Sequence, residues 1–328
     1  MIGVFKANNP LNNLFLLFYG LLLKISELFI HPTIPIPQEM DGQVYRKILQ
    51  WLQPVGEGFP WIYSVLAFIL VYSQAVTLNS LVKHYKLMHM PNYLVGMTYL
   101  LITSLFPEWQ TFSSPLLVNT CMIVVLYQLS GLFTHPKPKS TLFNIGLLIG
   151  LASFFYFPSM AFVLLLIAGL IFTRPFRINE WLIGLLGILA PYYFLAAWLF
   201  ITDRWAMYEL PAFQVVTPFF KDSKMSYIAI GILSVLLLVG FFFIRMNLRR
   251  QLVQTRKIWS LILLYFIVAF IVPFINVNDR FDYWVLMVVP AACIGAAAFL
   301  YPDRKWFGLL FHWGLVAISV MMGFFLKG

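Results

Sequence analysis

Residues 226–244 read SYIAIGILSVLLLVGFFFI, nineteen residues without a charge. Coiled as a helix this run is roughly 28 Å long, close to the ~30 Å hydrocarbon thickness of a bilayer. Lipid gives backbone N–H and C=O groups no partner, so such a run must satisfy its own hydrogen bonds as a helix or as a strand of a closed barrel. Runs of this length exceed the roughly 9–11 residues of a barrel strand, which leaves the helix. The pattern recurs along the chain, and spans are predicted near 11–30, 60–80, 92–106, 116–134, 141–156, 159–173, 180–201, 226–244, 258–275, 285–300 and 307–326. Hydrophobic residues make up 61% of the 328 and charged residues 10%, against about a quarter charged in an ordinary soluble domain. A soluble fold could not hide that much apolar surface. The expected fold is all-α: one polytopic transmembrane bundle over residues 1–328 with about eleven spans.

The charges lie between the apolar runs and report orientation. With the amino terminus inside, the cytoplasmic segments hold fourteen basic residues: Lys6, Lys83, Lys86, Lys137, Lys139, Arg174, Arg177, Arg245, Arg249, Arg250, Arg256, Lys257, Arg304 and Lys305. Seven fall outside. This bias places the amino terminus in the cytoplasm. Nine acids then collect on the outer side (Glu39, Asp41, Glu57, Glu108, Asp203, Glu209, Asp222, Asp279 and Asp282), whereas only Glu180 and Asp303 lie in cytoplasmic loops. That acidic face is the expected place for chemistry. At the start, Asn9 is suited to cap the first helix and Pro10 to open it. No small-residue cleavage site follows the first apolar run, so that span is expected to be retained.

Two outer segments are more than turns. Residues 31–59 run from a Pro-rich stretch through Glu39 and Asp41 into a segment where Val44, Ile48, Leu49 and Leu52 share a helical face, the pattern of an interfacial amphipathic helix. Residues 202–225 form a second outer loop whose Trp205, Tyr208, Phe213, Phe219 and Phe220 suit a headgroup layer.

Several polar residues are candidates for chemistry. Lys24 and Glu27 stand three apart inside the first span, where buried charge is costly; they invite a functional reading, or form an ion pair that snorkels to the surface. Asp41 is placed to act as a general base or to hold a divalent cation against phosphate, and equally to cap the following helix. Arg280, between Asp279 and Asp282, offers a planar fork for a lipid phosphate, or pairs with a neighbouring Asp beside the belt residues Tyr283 and Trp284. Glu108 and Arg204 are similar candidates that loop solvation also explains. A divalent cation is the one cofactor these acids suggest.

Other chemistries are excluded. His31, His84, His89, His135 and His312 are scattered and form no metal-binding box. No glycine-rich phosphate loop and no Gly-x-Ser-x-Gly elbow occurs. Basic residues in short loops argue against nucleic acid as a partner. Cys121 and Cys293 both lie in apolar segments, so no disulfide framework is indicated.

The order of elements, with one span, an acidic outer loop with an interfacial helix, then many spans and a second outer loop, resembles the GT-C superfamily of membrane glycosyltransferases. Phe106-Pro followed by Ser113-Ser-Pro-Leu-Leu-Val-Asn-Thr-Cys, Asn144-Ile-Gly-Leu-Leu-Ile-Gly-Leu-Ala-Ser-Phe-Phe-Tyr-Phe-Pro158, and Arg280-Phe-Asp-Tyr-Trp-Val-Leu-Met-Val-Val-Pro290 are similar to stretches of that superfamily. The opening Phe5-x-x-Asn8-Asn9-Pro10 also resembles polytopic membrane proteins of Bacteroidota. The resemblance implies a transferase that takes a sugar from undecaprenyl phosphate at the periplasmic face of a bacterial inner membrane. In it Asp41, with Glu39 as the alternative, would be the catalytic acid of the first outer loop, and Arg280 or Arg204 would hold lipid phosphate. The chain departs from the superfamily in lacking an adjacent acidic pair in its next outer loop, where Glu108 stands alone, and in having no large carboxy-terminal soluble domain. The alternatives are a non-enzymatic subunit that scaffolds an envelope or secretion complex through membrane-protein partners and lipids, and a transporter.

Overall fold

A computed structural model describes residues 2–30, 32–133, 138–205, 224–275, 281–302 and 304–325. Among them the chain is all-helical, with no strand. In order the helices are α1 (Ile2–Lys6), α2 (Asn12–Leu23), α3 (Gln43–Gly56), α4 (Trp61–His84), α5 (Leu94–Thr103), α6 (Ser114–Gly131), α7 (Lys139–Phe155), α8 (Val163–Thr173), α9 (Ile178–Ile201), α10 (Lys224–Leu248), α11 (Val253–Ile271), α12 (Val288–Leu300) and α13 (Lys305–Phe325). Seven stretches, in α4, α6, α9, α10, α11, α12 with the turn before it, and α13, are long and apolar enough to cross a membrane. Shorter apolar helices are α2, α5, α7 and α8, the last together with the turn before it.

The core forms around α12 and α5. Every residue of both is buried, and α12 packs against α5, α10 and α11. Six of the thirteen residues of α12 are Ala or Gly, which lets neighbouring backbones come close. The most extensive pairing among the described helices joins α7 to α9. A Cβ at Gly146 would run into the carbonyl of Gly184, and one at Gly187 into that of Phe143, so these helices meet backbone to backbone.

Local structure departs from the sequence expectation at five places. The first span is not one helix: α2 stops at Lys24, and Ser26–Ile30 form a wider π-type turn. Asn9 does not cap α2; its Oδ1 accepts the N–H of Leu11 at 3.0 Å and the helix starts three residues later. The spans expected at 159–173 and 285–300 open with 3-10 turns over Phe157–Phe162 and Asp282–Met287. The amphipathic helix α3 does form, but its inner face is Tyr45, Ile48, Leu49 and Leu52, with Val44 exposed. Of the outer loop expected at 202–225, residues 206–223 lie outside the described residues, as do His31, His135, Asp279 and Arg280.

The helix ends gather into two faces. At one, residues 38–42, 104–114, 155–157 and 281–287 meet, joined by backbone bonds such as Gly42 N–H to Phe155 C=O at 2.8 Å and by Trp109 Nε1–H to Phe281 C=O at 2.9 Å. At the other, Tyr93 N–H donates to Phe5 C=O at 2.8 Å, while Trp259 Nε1–H and Lys6 Nζ donate to the carbonyls of Leu87 and Leu300. Lys83, Lys86, Arg174, Arg177, Lys257 and Arg304 stand at this second, basic face.

Candidate functional site

Asp41 is buried at the first face because four separate constraints converge on its turn. Arg46, one turn into α3, donates to the carbonyls of Gln38, Glu39 and Asp41 at 2.8, 2.9 and 3.0 Å, and so holds residues 38–41 in a tight loop. The next residue, Gly42, runs against the end of α7, where any Cβ would collide with the Phe154 carbonyl. Bonds from Gly42 N–H to Phe155 and from Phe157 N–H to Met40 then pair Asp41 with Tyr156 as an isolated antiparallel bridge. Finally, the carboxylate takes the Gln38 N–H on Oδ2 at 2.8 Å and the Ser114 hydroxyl on Oδ1.

Capping of α3 by Asp41 is therefore not what this geometry shows. Gly42 occupies the N-cap position without a side-chain bond, and the Asp41 carboxylate turns instead to the amino terminus of α6, which begins at Ser114. The positive end of that helix dipole favours the carboxylate there.

A second acid joins it. Asp282 opens the 3-10 turn before α12 and lines the same cleft as Asp41, Gln38, Tyr45 and Ser114. The cleft measures about 40 Å³, room for two or three waters or a small ion at the ~10–15 Å³ each requires. Tyr45 donates its hydroxyl to Phe112 C=O at 2.9 Å; burial, and then the charges of Asp41 and Asp282, push its ionisation above the usual tyrosine range, so it stays a neutral donor. Tyr156 stacks on Tyr283 with ring centroids 4.9 Å apart, and the fully buried Tyr156 hydroxyl has no hydrogen-bond partner among the described residues. The Asp282 segment is fixed by Trp109 and by Asn119, whose Nδ2 donates to Val285 C=O at 2.9 Å.

The other sequence candidates lie elsewhere. Glu39 is exposed, with only its carbonyl engaged by Arg46. Glu108 is exposed in the turn Pro107–Gln110, and Arg204 lies over the Trp198 ring at 5.8 Å, neither lining the cleft. Lys24 and Glu27 do not snorkel: they are 2% and 4% exposed. Lys24 Nζ donates to Thr103 C=O at 3.2 Å, and Glu27 accepts the Thr33 hydroxyl at 2.8 Å, while the Glu27 charge still acts on the Lys24 ammonium. α2 ends at Lys24 and Glu27 sits inside the π-type turn Ser26–Ile30, so the two do not share the regular helical spacing on which pairing was expected. Arg280 lies outside the described residues, two positions before Asp282. Among the described residues no three His, Cys, Asp or Glu side chains cluster as a metal site. Ser114, Tyr45 and Tyr156 were not singled out by their sequence context. Ser113-Ser-Pro announces a helix start, but nothing local says which carboxylate its hydroxyl will meet.

Residues 56–327, 272 of the 328, match one family. The chain belongs to the family of unknown function DUF6427. Ser114, Tyr156 and Asp282 fall inside the stretch that defines DUF6427, whereas Asp41, Tyr45 and Arg46 precede it. No curated protein and no solved structure matches the chain.

Proposed function

We propose that the chain crosses a bacterial inner membrane about eleven times, with its amino terminus in the cytoplasm, and that the Asp41 face is a GT-C-like periplasmic site for sugar transfer from undecaprenyl phosphate. Seven long apolar helices and the shorter ones beside them supply the spans, and the basic second face agrees with a cytoplasmic side. The observation that carries the reading is that the Asp41 carboxylate is turned away from helix capping into a cleft with a second carboxylate.

In this reading Asp41 takes the proton from an acceptor hydroxyl. The acceptor oxygen bonds to the anomeric carbon while the bond from that carbon to the phosphate oxygen breaks, its electron pair leaving with undecaprenyl phosphate. Ser114 and the Gln38 N–H orient the base. Arg280, two residues before Asp282 in sequence, serves as the phosphate clamp. A divalent cation, were one bound, would be held by the Asp41 and Asp282 carboxylates and would offset the charge of a substrate phosphate; one or two carboxylates plus phosphate suit magnesium.

Native mass spectrometry of protein gently extracted from its own membrane tests this. Wild type should retain undecaprenyl phosphate or its sugar adduct. Asp41→Asn should shift the balance toward the sugar adduct, because loss of a general base slows transfer by roughly 10²–10⁴-fold. Identical lipids on both proteins reject Asp41 as the base. Stoichiometric protein partners with no polyprenyl lipid favour the scaffold instead.

A further inference from the structure

The basic face carries a cleft that the proposed chemistry does not use. It measures about 170 Å³, several times the ~30 Å³ share of a water molecule, and lies at the turn after α4. Lys83, Lys86 and His89 supply its charged or polar side, and Met88, Met90 and Pro91 an apolar wall.

Three features mark it as more than a solvated turn. The turn is held rigidly from behind: Leu87 C=O accepts both Trp259 Nε1–H and Gln251 Nε2–H at 3.2 Å, and buried Asn92 donates to Met90 C=O at 2.9 Å and accepts the Leu94 N–H at 3.0 Å. Lys86 has φ 49°, the left-handed region that is unfavourable for any residue with a Cβ. Asn or Gly would close this helix end more easily, yet a lysine stands there. Among the described residues no carboxylate forms an ion pair with Lys83 or Lys86. Ion pairs among the described residues join Glu180 to Arg174 and Arg177, and Lys83 is held instead over the Tyr93 ring at 4.3 Å.

We infer that this cleft binds the phosphodiester of an anionic phospholipid, with Lys83 and Lys86 on the phosphate and the methionine wall against the glycerol and first methylenes. A basic pocket between helices at a membrane surface is suited to such a headgroup. The site stands independently of the transfer chemistry at the opposite face.

The test is native mass spectrometry of delipidated protein titrated with phosphatidylglycerol, phosphatidylcholine or inorganic phosphate. Phosphatidylglycerol should bind at least tenfold more tightly than phosphatidylcholine. Each of Lys83→Gln and Lys86→Gln should weaken it about fivefold, the worth of one basic residue at an anionic surface. Arg177→Gln, at an exposed arginine beside Glu180, should leave binding unchanged. Lys86→Gly separates charge from folding, since it removes the ammonium while relieving the left-handed backbone; lipid binding should fall as thermal stability holds or rises. Equal retention of the two lipids, wild-type binding by both lysine variants, or saturation by inorganic phosphate without lipid retention would each overturn the inference.

Discussion

Helices α10 and α12 touch, and both are apolar, yet they inhabit different surroundings. In the most apolar 18-residue window of Asp282–Leu300, 94% of the residues are buried in protein, against 22% in that of Met225–Leu248, and this ordering is the reverse of their mean hydropathies of 2.0 and 2.7. Hydropathy therefore reports which segments leave water, not which leave lipid. The residue sizes do report it. α12 is rich in Ala and Gly, whereas α10 exposes Tyr227, Leu238 and Phe242 and buries a narrow stripe of Ala229, Leu236, Gly240 and Ile244. Lipid tails are as apolar as leucine, so helices associate through close packing of small residues rather than through apolarity.

The severest way to break that contrast lies at the contact itself. A Cβ at Gly240 would collide with the Ile294 carbonyl, so Gly240→Leu must push α10 off α12. A loss of about 3–5 kcal/mol, read by thermal or denaturant unfolding in mild detergent, is expected. An unchanged midpoint would mean that the two helices do not pack through this glycine. Next comes overpacking inside α12: Ala296→Leu, at a position with no exposed surface, should cost about 1–3 kcal/mol in the same measurement. The smallest effect sharpens the other side. Leu238→Val, at a side chain 69% exposed and two positions from Gly240, should stay within about 0.5 kcal/mol. A large loss there would reveal a protein neighbour covering α10.

Much of the fold was legible because burial from water is a local property of sequence. The apolar runs marked the helices, and the spacing of Ile48, Leu49 and Leu52 marked α3, although Tyr45 took the place assigned to Val44. The candidate site was legible only in part. Asp41 stood out as an acid before a helix, but local rules equally favoured a cap. What decided its role was the approach of the Phe154–Phe157 segment and of Ser114, both remote in sequence. Asp282 drew notice as a neighbour of Arg280, not as a companion of Asp41, because only the folded chain brings the two carboxylates to one cleft. The break at Lys24 had no sequence signal either: neither Pro nor Gly stands there, and the π-type turn arises where Lys24 reaches Thr103 and Ser26 reaches the Gly323 carbonyl.

The backbone pairing of Asp41 with Tyr156 has a mechanical side. The acid is stitched to the turn between α7 and α8, and α7 is clamped to α9 through the Gly146 and Gly187 contacts. Asp41 also takes the Ser114 hydroxyl of α6, and Tyr156 stacks on Tyr283 beside Asp282, so the supports of the two acids are riveted to each other and their spacing is held by one set of contacts, as in a closed frame.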